Sequence, residues 1–88
     1  MPRFMDTKVD REGRWSLGAD AETAAPFLSI PVANRMVDYE EYYRLSEDEA
    51  RRFEADGLAA RTFADECRAR QHDDRLILAP GSDRGEPR

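Results

Sequence analysis

Residues 36–49 read Met36-Val37-Asp38-Tyr39-Glu40-Glu41-Tyr42-Tyr43-Arg44-Leu45-Ser46-Glu47-Asp48-Glu49. As a strand, this stretch puts Val37, Tyr39, Glu41, Tyr43 and Leu45 on one face and Asp38, Glu40, Tyr42 and Arg44 on the other. As a helix, it would gather Tyr39, Tyr42 and Tyr43 at i, i+3 and i+4. Three tyrosines favour the strand. The neighbouring residues favour it too. Ser46 and Glu49 have the spacing of a capping box, so a helix starts there on its own signal, with Glu47 and Asp48 at the positive end of its dipole. An all-helical chain would need 36–45 to be helical, whereas a strand running into a capped helix makes the fold mixed.

Downstream, the capped helix runs through Ala50, Phe53 and Ala55 to Asp56, with Gly57 as the residue that ends it. A second helix is expected from Leu58 to about Gln71, with Ala59, Phe63 and Cys67 as its apolar stripe and Ala60 and Ala64 beside it. Asp73-Asp74 make a turn. Arg75 to Ala79 then reads as a short strand, central because Leu76, Ile77 and Leu78 are consecutive. Upstream, Asp10-Arg11-Glu12-Gly13 is a turn joining Phe4–Val9 to Arg14–Leu17 as a hairpin. Residues 18–26 read as a connector. Phe27 to Val32 is bounded by Pro26 and interrupted by Pro31, which predicts an edge strand or an extended loop.

The expected fold class is therefore α+β: a small antiparallel or mixed sheet with two consecutive helices on one face. Residues 1–79 are expected to form one domain and 80–88 a flexible C-terminal tail, since SDRGEPR has no apolar side chain. The expected core is Trp15, Leu17, Phe27, Ile30, Val37, Tyr39, Leu45, Phe53, Phe63, Cys67, Leu76 and Leu78.

Length and composition bound the function. Eighty-eight residues leave no room for separate cofactor and substrate domains. Hydrophobic residues make up 40% of the chain, with four Phe, three Tyr and one Trp, so it can build a core. There is no 18-residue apolar run, and the opening MPRFMDTKVD lacks a signal core, so a cytoplasmic chain away from membranes is expected. The single cysteine, Cys67, has no disulfide partner. Cys67 and His72 lie five apart, on different sides of a helix, which is not a zinc-ligand spacing. His72 is expected to be exposed. Phosphate loop, nucleophile elbow, CxxC and calcium-loop patterns are absent. No enzyme activity, cofactor or metal is expected.

Fourteen basic residues stand against nineteen acidic ones, for a net charge of −5. The whole excess lies in residues 38–56, which carry eight acids and three bases. A nucleic-acid binder has the opposite sign, so direct nucleic-acid binding is not expected and a protein partner with a basic surface is. Tyrosine gives contact area with a polar tip and can stack on cations. The expected partner-binding residues are Asp38, Glu40, Glu41 and Tyr42, extended by Glu47 and Asp48.

The stretches VDYEEYYRLSEDEARRF and FADECRARQHDDRLILAPGSDRGEPR are similar to short uncharacterised proteins of high-GC actinobacteria, over about the C-terminal half. Size, acidity and strand–helix–helix–strand order are also similar to those of immunity proteins and antitoxins that neutralise bacterial toxins. That likeness implies a non-enzymatic inhibitor and, being one of type, carries over no functional residue. The alternative is a structural or regulatory subunit that self-associates through its sheet edge or an apolar patch.

Overall fold

The computed structural model describes residues 2–88. Four antiparallel strands, β1 (Phe4–Asp10), β2 (Trp15–Asp20), β3 (Pro26–Ala33) and β4 (Asp38–Arg44), follow one another as neighbours in the sheet. Helices α1 (Glu47–Ala55) and α2 (Gly57–Arg68) come next, then a 3₁₀ turn at Asp73–Arg75 and a short β5 (Glu86–Pro87). The chain is α+β, as expected, and both helices lie on one face.

The hairpin forms where the turn residues place it, with Asp10 Oδ1 accepting from the Gly13 amide at 2.8 Å. β2 extends further than expected, into the supposed connector. Its last residue, Asp20, is fully buried and carries that turn: it receives the Glu22 amide and the Thr23 hydroxyl and pairs with both Nε and Nη2 of Arg3 at 3.0 Å. Arg3 holds the Asp20 carboxyl down to about 2.

β3 is not an edge strand. It lies in the middle, bonded to β2, β4 and β5. The prolines are tolerated for positional reasons. Pro26 opens the strand. Pro31 directs its missing N–H away from β4, to the side where β2 has already ended, since the β2–β3 pairing stops at Ser16↔Ser29. On that side its carbonyl receives the Arg88 amide at 3.1 Å.

The capping box at Ser46 is complete: the Glu49 amide donates to Ser46 Oγ, and the Ser46 amide donates to Glu49 Oε1 at 2.8 Å. Gly57 does not end α1 in a left-handed turn. Asp56 has extended backbone angles, ends α1 and caps α2, its carboxylate accepting from the Leu58 and Ala59 amides. The helices therefore meet at one residue. α2 stops at Arg68, short of Gln71, because Arg70 takes a left-handed φ of 61°.

One face of the sheet packs Trp15, Leu17, Leu28, Ile30, Val32 and Tyr43 against Leu45, Phe53, Phe63 and Cys67. The Phe53 and Phe63 rings lie 5.2 Å apart. Val37 and Leu78 are 55% and 49% exposed rather than buried, and Tyr39 and Leu76 are partly buried. The expected central strand at 75–79 is one bridge, Tyr43↔Leu76, beside β4, after which the chain leaves the sheet. The apolar run Leu76-Ile77-Leu78 meets only an edge.

The final segment, expected to be a flexible tail, lies against the sheet. Arg84 Nε and Nη2 reach Glu41 at 2.8 and 3.1 Å, and its Nη1 and Nη2 reach Asp73 at 2.8 and 3.0 Å. The Gly85 amide donates to the Tyr39 hydroxyl at 2.7 Å, and β5 pairs with the end of β3. Gly85 fits because it has no Cβ, which would meet the Ala33 carbonyl at 2.4 Å. Polar side chains that cannot build a core can still hold a segment through ion pairs and a ladder.

Candidate functional site

The helices cover only one face of the sheet. The other carries Phe4 and Asp6 from β1, Ser16 and Gly18 from β2, Phe27, Ser29 and Pro31 from β3, and Asp38, Glu40 and Tyr42 from β4, as the register dictates. This face is concave. In a flat four-stranded sheet the outer strands stand about 14 Å apart. Here Phe4 and Tyr42, from the two outer strands, stack with ring centroids 3.8 Å apart and planes 10° apart. Phe27 lies beneath them, edge-on to both at 5.6 and 5.0 Å, and is completely buried. Gly18 permits the curl. A Cβ there would meet the Met5 carbonyl oxygen at 2.2 Å and the Phe27 ring at 2.6 Å.

Beside the aromatic lock lie two carboxylates, Asp6 and Glu40. Ser29 Oγ donates to Glu40 Oε1 at 3.2 Å. Burial pushes the Glu40 carboxyl above its ordinary range against that hydrogen bond, and the charge of Asp6 raises it further. Asp6 is exposed, and partial desolvation by its neighbours raises its carboxyl. Burial, then the charges of Glu40 and Asp6, raise the Tyr42 phenol. Among the described residues neither carboxylate has a basic partner within 4 Å, whereas Asp20 has Arg3, Glu41 has Arg84 and Glu49 has Arg75. A groove of about 370 Å³ continues from Glu40 between Val9, Ser16 and Pro31, with Arg11 and Arg14 at its rim.

The six residues expected to bind a partner do not form one patch. Glu40 and Tyr42 belong to the concave face. Glu41 points the other way and is 7% exposed, bound by Arg84 and by the Tyr43 hydroxyl at 2.9 Å. Asp38 is exposed at one end of β4 and pairs with Arg88 at 2.6 Å. Glu47 and Asp48 lie past the other end, about 20 Å away along the strand. Asp48 pairs with Arg51. The acidic excess of 38–56 does not become an equal surface excess, because arginines from outside it, Arg75, Arg84 and Arg88, fold back onto its acids. Tyr42 is a packing residue as well as an outward one. Its removal would uncover Phe27 and should destabilise the fold by well over the ~0.5 kcal/mol of an exposed site.

Asp6 is a site residue that the sequence pattern does not single out. The available signal is its place between Phe4 and Val9 in a short strand, on the face opposite the helices. His72 is half-buried rather than exposed, stacked on Phe63 at 4.4 Å and bonded to Glu66 at 2.8 Å. Among the described residues no three Asp, Glu, His or Cys converge as a metal site. No helix is long and apolar enough to cross a membrane. No family model, curated protein or solved structure matches the chain.

Proposed function

We propose that this chain is a small protein-binding module whose concave face takes a basic side chain of a partner between Asp6 and Glu40. One observation carries this reading. The chain matches its two buried acids, Asp20 and Glu41, to arginines and leaves the half-buried Glu40, with the exposed Asp6 on the same sheet face, without one. An unpaired carboxylate in a partly buried site lowers the stability of the free protein, and a guanidinium or ammonium from a partner would relieve it. The Phe4–Tyr42 pair offers that cation an aromatic neighbour. Arg11 and Arg14 at the rim select against a uniformly basic surface, so the partner presents a cation bordered by polar or acidic groups. An inhibitor of the immunity or antitoxin type would be one such module.

The test has two arms. Glu40→Gln should stabilise the free protein by about 0.5 kcal/mol at pH 7. A carboxyl raised by folding favours the protonated form, so its penalty appears as the pH rises past the ordinary glutamate range and through the raised value. Urea denaturation at about pH 3.5, below that range, should show no difference. The double variant Asp6→Asn/Glu40→Gln should also lose a salt-sensitive host partner that wild type retains on an affinity column. Equal retention by both proteins, or a variant less stable than wild type at pH 7, would reject the reading.

A further inference from the structure

The outer edge of β4 is open over part of its length. The hydrogen bonds at the two ends of the β3–β4 ladder, Leu45 N–H to Pro26 O and Asn34 N–H to Val37 O, fix its phase. Odd-numbered residues of β4 bond β3. Even-numbered ones, Asp38, Glu40 and Tyr42, turn their N–H and C=O outward. The Tyr42 carbonyl is taken by the Ile77 amide at 2.9 Å. The chain then swings away, and the outward backbone groups of Asp38 and Glu40 find no partner among the described residues. A groove of about 430 Å³ separates this edge from residues 78–83. It is bounded at one end by the Ile77–Tyr42 bond and at the other by Asn34 Nδ2 donating to Asp83 O at 3.1 Å.

We infer that this groove is a strand-addition site for an extended basic segment of another protein. Backbone groups in a row give affinity without regard to sequence, and the groove walls give the preference. From Asp38 to Tyr42 the edge runs about 13 Å, enough for three to four extended residues. None of the residues lining the groove is basic, whereas Glu40, Glu41 and Asp83 are acidic there, Glu41 being already paired with Arg84. A second copy of this chain fits poorly. Over the open stretch 38–41, every antiparallel self-pairing in ladder phase sets Asp38 or Glu40 against another acid, which destabilises a cross-strand pair. Charge therefore favours a foreign cationic strand over self-association. This inference rests on the proposed function for the sign of the partner's charge and not for the place where it binds.

The probe is a fluorescein-labelled tetrapeptide of alternating Lys and Val, compared with a Glu–Val twin and with the Lys–Val peptide N-methylated at alternate residues. Two-dimensional NMR should show the Asp38 and Glu40 amides shifting with the Lys–Val peptide. Fluorescence polarisation should show at least tenfold weaker binding for the twin and for the peptide methylated in the bonding phase. Because methylation changes only the peptide, the folding of variants does not enter. Binding that ignores methylation, or shifts confined to Asp6 and Ser29, would overturn strand addition while leaving the concave-face reading intact. Absence of binding, or equal binding of the acidic twin, would also overturn it.

Discussion

Arg84→Ala is expected to lose about 3–5 kcal/mol of folding stability at neutral pH, a large share of what a domain of this size possesses. Arg84 is the cation for Glu41, a carboxylate 7% exposed and set against the Tyr43 hydroxyl in the core. Removing it strands that charge, and Asp73 loses the partner that holds its carboxyl below the usual range. The Tyr43 phenol is already raised, first by burial and then by its bond to Glu41. A neutral Glu41→Gln in the Arg84→Ala background should therefore recover at least half of the loss. Urea denaturation of the two variants decides the matter. A loss under about 1 kcal/mol would mean that the pair behaves as a surface ion pair.

The second large effect is at Gly18. Gly18→Ala introduces a Cβ where the Met5 carbonyl oxygen lies 2.2 Å away, a contact with backbone that no rotamer change can relieve. β1 must move outward, and the Phe4–Tyr42 stack that closes the sheet must open. The expected loss is about 3 kcal/mol, at the upper end for overpacking. The readout specific to the curl is Phe27, which should become accessible, so ring-current-shifted resonances of Phe4 and Tyr42 should return toward random-coil positions. An alanine variant with native stability and an unchanged aromatic spectrum would show that the sheet does not depend on close approach at Gly18.

The elements with local causes are legible in the sequence. Asp10 and Gly13 specify a turn and Ser46 and Glu49 a helix start through bonds three residues apart, and both form as expected. The features that are not legible depend on distant neighbours. Pro31 argues against a central strand, yet its effect hinges on where β2 stops, which the local sequence does not record. Leu76 to Leu78 resembles a central strand because an apolar run carries no mark of whether β4 will accept more than one bridge. The tail reads as unattached in sequence because Arg84 has no local partner, its acids lying eleven and forty-three residues away. The same long-range pairing explains the site. Charge counted along 38–56 places an acidic face on β4, but Arg75, Arg84 and Arg88 redistribute it. Asp6 and Glu40, two of the acids left without a basic partner, share one face of the curled sheet although they stand on its two outer strands.

Cys67 gives the molecule a built-in clock. Its side chain is 1% exposed among the α2 core residues, and burial pushes its thiol up to about 12. An alkylating reagent finds neither access nor thiolate in the folded chain. Modification must wait for an opening large enough to free α2 from the sheet, so its rate counts those openings under native conditions. Because there is no second thiol to report anything else, the mass of the intact chain sampled over time reads out how often the core is breached, without denaturant or mutation.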